Sequence, residues 1–194
     1  RGIRPDEAVE FGKTLYQTGF RLIEVPLNSP DPFSSIAAIR QSLPHDALVG
    51  AGTVLSCEQV RQLKSCGGEV VFMPHSDLEV VRTAKNEGLL CVPGVATPTE
   101  AFAALAAGAD ALKLFPGEMI TPKVLKSIGV VLPKGTCMMP FGGITPETMK
   151  PYLDAGASAF GLGSALYKPG MTIAEFADRA NAFVAAWQRD TGRI

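Results

Sequence analysis

Lys113 is the charged residue inside the apolar run Ala111–Leu112–Lys113–Leu114–Phe115, which is followed by Pro116. Strands of a buried parallel sheet read as near-continuous hydrophobic runs, so an ammonium group there is costly unless it serves a purpose. An unperturbed lysine, with a pKa of about 10.4, is almost wholly protonated near neutral pH. Desolvation favours the neutral amine, which can attack a carbonyl and form a Schiff base. The competing reading is a lysine that points outward between sheet and helices or snorkels to the rim. Alternation along the run does not separate the two, because both faces of such a strand are apolar.

Glu24 raises the same problem of burial within Arg21–Leu22–Ile23–Glu24–Val25–Pro26–Leu27. One lysine and one carboxylate are sufficient for an imine-forming aldolase, in which the carboxylate shuttles a proton through imine formation, carbon–carbon cleavage and enamine protonation. A structural ion pair, each charge lessening the other's cost, is the alternative.

Two glycine-rich stretches, Pro140-Phe-Gly-Gly-Ile144 and Gly161-Leu-Gly-Ser164, suit a phosphate group. Bare backbone N–H groups at Gly143 and Gly163 could approach an anion closely, and Ser164 could add a hydroxyl donor. Tight turns would also call for glycine there. Thr53, after Gly50-Ala-Gly52, could donate to a substrate carboxylate or help cap the following helix. His75 reads as a loop histidine, and Met73, Met119, Met138 and Met139 as packing residues.

These residues need a frame that carries them to one place. Helical periodicity alternates with short apolar runs along the whole chain. Helices are expected over Pro5–Gly19, Asp31–Leu43, Ser56–Ser65, Asp77–Gly88, Thr97–Gly108, Thr121–Leu132, Thr145–Gly156 and Thr172–Arg189. Strands are expected over Phe20–Asn28, Ala47–Leu55, Val70–Pro74, Leu89–Pro93, Ala111–Phe115, Thr136–Phe141 and Ala159–Leu162. Strict alternation of strand and helix argues a parallel sheet. No G-x-G-x-x-G turn follows the first strand, as a doubly wound dinucleotide fold would require. The expectation is therefore a (β/α)8 TIM barrel, one domain over residues 1–194, with its first strand truncated ahead of Arg1. In that architecture the active site lies at the C-terminal ends of the strands, where Arg1, Glu24, Asn28, Thr53, His75, Lys113 and both glycine-rich stretches would gather.

Composition narrows the classes. Apolar residues make up 46% and charged residues 19%, as in an ordinary compact enzyme and too apolar for a disordered chain. A formal net charge of −1 gives no electrostatic reason to expect nucleic acid or a membrane surface as partner. Cys57, Cys66, Cys91 and Cys137 form no C-x-x-C pair and read as buried free thiols of a reducing, cytoplasmic compartment, disulfides being the alternative. Neither His45 nor His75 has the spacing of a metal site, so no metal and no cofactor is expected.

Glu24-Val-Pro-Leu-Asn-Ser29, Gly50-Ala-Gly-Thr-Val54, Pro93-Gly-Val-Ala-Thr97, Leu112-Lys-Leu-Phe-Pro116 and Gly142-Gly-Ile144 stand in one order and spacing. Together they resemble the class I 2-keto-3-deoxy-6-phosphogluconate aldolase family, and Arg1-Gly-Ile3 is similar to the end of that family's first strand. The gluconate branch carries E-V-T-L-R-T at the glutamate, where its arginine holds the substrate carboxylate. Pro26 and Asn28 instead resemble the 6-phosphogalactonate branch. The resemblance implies a homotrimer of barrels cleaving a phosphorylated keto-deoxy sugar acid to pyruvate and D-glyceraldehyde 3-phosphate. It implies Lys113 as the imine lysine, Glu24 as the proton shuttle, Arg1 and Thr53 at the pyruvyl end, and Gly143, Gly163 and Ser164 at the phosphate. Phe115 and Pro93 would line the pocket. Two other classes stay open from the residues alone: a phosphosugar isomerase or epimerase using Lys113 and Glu24 without a covalent step, and a non-catalytic phosphosugar-binding barrel.

Overall fold

A computed structural model describes residues 1–192. The chain alternates α1 (Pro5–Thr18), β1 (Leu22–Pro26), α2 (Pro32–Ser42), β2 (Leu48–Gly52), α3 (Cys57–Ser65), β3 (Val70–Phe72), α4 (Leu78–Asn86) and β4 (Leu90–Val92). It continues through β5 (Gly94–Val95), α5 (Pro98–Ala106), β6 (Leu112–Leu114), α6 (Pro122–Val131), β7 (Met138–Pro140), α7 (Met149–Asp154) and α8 (Ile173–Thr191). All paired strands are parallel, in the orders β1-β2-β3-β4 and β5-β6-β7. This is the (β/α)8 class.

The two sheet segments are one curved surface interrupted at Pro93. The proline has no N–H to donate, so the expected strand Leu89–Pro93 ends at Val92 and resumes at Gly94. Its carbonyl still serves the next strand, accepting from the Lys113 N–H at 2.9 Å, while Met73 N–H reaches Val92 O at 3.2 Å.

Helix ends follow local chemistry. The Thr97 hydroxyl accepts from Glu100 N–H, and the Glu100 carboxylate accepts from the N–H groups of Thr97 and Ala96, both at 2.9 Å. That capping box fixes the corner between β5 and α5. Thr172 and Glu175 repeat it at the start of α8. At the other end of α1, Gly19 turns the chain at φ 112°, a conformation open to glycine.

Two expectations need correction. The helix expected over Thr145–Gly156 is only Met149–Asp154. Pro151 would lack a donor and clash with the carbonyl four residues earlier in a longer helix. Starting at Met149 puts the proline in the first turn, where N–H groups are spare. Residues Thr145–Thr148 form a separate turn, with Thr148 N–H on Thr145 O at 3.0 Å.

The strand expected over Ala159–Leu162 is reduced to one bridge, Phe141↔Gly161. Ser158 N–H donates to Met138 O and Gly161 N–H to Pro140 O. Three residues on this segment therefore match two on β7, and the extra residue is a β-bulge that stops a regular ladder.

Core residues separate by strand parity. Ile23, Val25, Val49 and Val71 face the helices with α1, α2 and α8. Leu112, Leu114 and Met138 face α5 and α6. The alternate residues Val70, Phe72, Val92, Ala111 and Met139, with Leu22, Cys137, Phe141 and Ala159 against them, fill the barrel interior. Of the four cysteines only Cys91 is buried; the other three are half-buried, and all are free thiols. Burial pushes the Cys91 thiol up to about 12, which keeps it inert as a nucleophile.

Candidate active site

Parity settles which way Lys113 points. Its neighbours Leu112 and Leu114 belong to the helix-facing core and Ala111 to the interior, so Lys113 projects into the barrel. On β1, Glu24 stands between the helix-facing Ile23 and Val25 and shares the inward side with Leu22. The outward lysine is thereby excluded. Lys113 and Glu24 approach the interior from strands separated by β2, β3 and the β4–β5 segment.

They are not an ion pair. Among the described residues, neither side chain has a salt-bridge or hydrogen-bond partner. Lys113 is only 6% exposed, yet among the described residues no buried side-chain nitrogen or oxygen cut off from solvent lacks a partner. Its amine must therefore open onto the solvent-accessible mouth. Two aromatic faces hold it instead of a carboxylate: Nζ lies 4.4 Å from the Phe141 ring centre and 5.0 Å from that of Phe115.

Coupling between the charges is electrostatic and longer-ranged. Burial lowers the Lys113 ammonium below the ordinary lysine range; Glu24 opposes this shift and Arg1 adds to it. Burial raises the Glu24 carboxyl above the usual carboxylate range, and the positive charges of Lys113 and Arg1 pull it partly back. An amine poised toward its neutral form and an acid able to hold a proton thus share the barrel interior.

Glycines make the room. A Cβ on Gly52 would stand 1.2 Å from Glu24 Oε1, so the carboxyl occupies the space a side chain would take. A Cβ on Gly161 would fall 2.0 Å from Cδ1 of Phe141, the ring beneath the lysine. Reading the sequence for chemistry missed both Gly52 and Phe141. The Phe-Gly-Gly motif drew attention to its glycines, and nothing in one chain signals an aromatic that touches an amine from the next strand.

Thr53 follows β2 at φ 57°, a left-handed conformation that a β-branched residue adopts only under strain. It does not cap α3, because Ser56 accepts from Gln59 N–H in that role. Arg1 is exposed at the start of the chain. Gly2 N–H donates to the buried Ser29 hydroxyl at 2.9 Å, tying that segment to the turn after β1, where Asn28 is exposed. His75 is exposed after β3, its carbonyl accepting from Gly94 N–H.

Gly143, Gly163 and Ser164 are exposed in the loops that follow the bridged residues Phe141 and Gly161. Among the described residues their N–H groups donate to no protein acceptor. Gly142 and Gly143 both take positive φ, 107° and 65°. No three His, Cys, Asp or Glu side chains gather as metal ligands among the described residues.

The chain is similar to known proteins in sequence and fold. Residues 3–181 match the protein family described as KDPG and KHG aldolase. A probable 2-dehydro-3-deoxy-6-phosphogalactonate aldolase of Rhizobium meliloti is 44% identical over 96% of this chain and 88% of its own. The 2-dehydro-3-deoxy-6-phosphogalactonate aldolase of Escherichia coli is 44% identical over 97% of this chain and 92% of its own. A solved structure described as native KDPGal superposes with a TM-score of 0.97 at 42% identity, covering 100% of this chain and 94% of that one.

Proposed function

Because the chain belongs to the KDPG and KHG aldolase family, we propose that this class I aldolase cleaves 2-dehydro-3-deoxy-6-phosphogalactonate into pyruvate and D-glyceraldehyde 3-phosphate through an imine on Lys113. The observation that carries the reading is the buried, unpaired amine of Lys113 sharing the barrel interior with Glu24, whose carboxyl burial pushes above the usual carboxylate range.

Neutral Lys113 attacks the C2 ketone, and with one proton taken up from solvent the carbinolamine loses water to leave a protonated imine. The C4 hydroxyl gives its proton to Glu24, directly or through a water, as the C3–C4 bond breaks. The bonding electrons move into the imine to form an enamine, and the aldehyde departs. Glu24 returns the proton to C3, and hydrolysis of the resulting iminium releases pyruvate, the free amine and the proton taken up at the start. The rings of Phe115 and Phe141 fit the iminium stage, because aromatic faces attract cations.

Arg1 and Thr53 are assigned to the pyruvyl end. Gly143, Gly163 and Ser164 are assigned to the phosphate, for which their undonated N–H groups provide acceptor-seeking contacts. The galactonate epimer is favoured by Asn28, which stands where the gluconate branch carries an arginine. A cytoplasmic homotrimer of single-domain subunits completes the proposal. Its support is a set of apolar residues left on the helices, with Phe102 47% and Val131 53% exposed. No helix among the described residues is long and apolar enough to cross a membrane. Light scattering of the purified protein gives the subunit number directly.

The test is borohydride reduction in the presence of pyruvate, followed by peptide mass spectrometry. A pyruvyl adduct on Lys113 is expected; an unmodified lysine in a protein that still turns over substrate overturns the covalent step. Coupled pyruvate release from the galactonate and gluconate epimers then ranks the substrates, and faster cleavage of the gluconate epimer overturns the epimer assignment.

A further inference from the structure

The loop after β6 brings a carboxylate to the glycine turn that follows β7. Gly117 N–H donates to Phe141 O at 2.7 Å, and Tyr152 Oη–H donates to Gly117 O at 3.3 Å, so this loop is tied to the end of β7. The next residue, Glu118, then lies against the Gly142–Gly143 turn. A Cβ on Gly142 would meet its Oε2 at 2.9 Å and Oε1 at 3.3 Å, and a Cβ on Gly143 would meet Oε1 at 3.8 Å. Glu118 is exposed, and among the described residues it has no hydrogen-bond or ion-pair partner. Its negative charge is felt by the nearby Tyr152 phenol, which it helps to push upward.

From this juxtaposition we infer that Glu118 is a specificity-determining residue for the phosphate end of the substrate, an internal carboxylate that covers the Gly142–Gly143 turn and competes with the incoming phosphate monoester. The inference rests on the assignment of that turn to phosphate. A doubly charged phosphate and the Glu118 carboxylate cannot share one glycine turn without repulsion. Binding therefore requires the Glu118 side chain to rotate away from the turn. An exposed side chain with no partner can do so readily, and affinity for phosphate is reduced by the work of moving it. Pyruvate, which carries no phosphate, does not meet this residue.

The test uses inorganic phosphate as a competitive inhibitor, with the variants Glu118→Gln and Glu118→Ala. Removing one negative charge at this range is expected to lower the inhibition constant of phosphate by roughly tenfold at low ionic strength. KM for the phosphorylated substrate should fall in parallel with kcat unchanged, and the effect should shrink at high salt. Trapping of pyruvate on Lys113 should be as complete as in the unaltered protein. An unchanged or higher inhibition constant in both variants, with pyruvate trapping intact, overturns the inference while leaving the aldolase reading in place. Failure of the unaltered protein to trap pyruvate strikes the aldolase reading instead, and direct binding of inorganic phosphate to the same three proteins, measured by calorimetry, then decides the role of Glu118: tighter binding in both variants supports it and unchanged or weaker binding overturns it.

Discussion

The amine of Lys113 lies 4.4 Å from the centre of the Phe141 ring, and among the described residues no carboxylate stands within ion-pair distance of it. An aromatic face gives the ammonium about 0.5–1 kcal/mol of attraction while excluding water. Phe141→Leu keeps the apolar surroundings and removes the π face. The lysine should then deprotonate at lower pH, because the ammonium loses the attraction of the ring. The rising limb of kcat/KM against pH should move in the same direction. A shift to higher pH would mean that water enters beside leucine and that desolvation depends on the ring itself.

Gly52 and Glu24 occupy one space. In Gly52→Ala the new methyl would overlap the carboxyl, so the side chain must leave its position. A misplacement of about 1 Å at a reacting group can cost on the order of 10²-fold in rate. Turnover should fall by about that factor, with the borohydride-trapped pyruvate on Lys113 retained. Loss of trapping together with turnover would show that Glu24 is already needed to form the imine.

Glu24→Gln should lose on the order of 10²–10⁴-fold in kcat as the proton shuttle disappears. The same change should raise stability at neutral pH. Burial raises the carboxyl's folded pKa, so the folded state holds its proton more tightly than the unfolded state does. Stability from this group is complete below its unfolded pKa and is lost as pH rises through the folded value. Glutamine cannot ionise and avoids that loss. Thermal melts should therefore separate variant from parent at pH 7 and converge as pH falls below the ordinary carboxylate range. A lower melting temperature for the variant at pH 7 would show that attraction to Lys113 outweighs burial.

Thr53→Gly relieves a left-handed backbone that threonine tolerates poorly. The strain at such a residue is about 1–3 kcal/mol, and glycine recovers part of it against its own flexibility when unfolded. A rise of about 2–4 °C in Tm is expected, on the basis of about 1 kcal/mol gained. If the hydroxyl holds the pyruvyl end, KM should increase in the same variant. Higher stability without a change in KM would remove Thr53 from the substrate site.

Much of this was legible from the residues, for identifiable reasons. Alternating helix and strand signals led to the barrel because caps such as Thr97 with Glu100 are local. Lys113 and Glu24 stood out because charge is conspicuous inside apolar runs. The direction of Lys113 was not legible, since Leu112 and Leu114 look the same whether they face helices or cavity. Nor was the absence of an ion pair, because strand order and barrel diameter decide how far apart two inward residues stand. Phe141 beside the lysine and Glu118 over the glycine turn are contacts between consecutive βα units. The one-residue slip at Ser158–Gly161 depends on hydrogen-bond register, which composition does not encode.

That slip bears on how the chain can change over time. Ala159 lies in the interior, Phe160 sits among the rings of Tyr152 and Trp187 outside, and Gly161 leaves space for Phe141. Deleting one residue here would restore an even ladder and pull the loop carrying Gly163 and Ser164 out of phase with the mouth. Exchanging Ala159 for serine would alter one side chain; changing the segment's length would re-time everything after it. What this stretch preserves is a count of residues, and lineages of such barrels should drift in letters there long before they gain or lose a position.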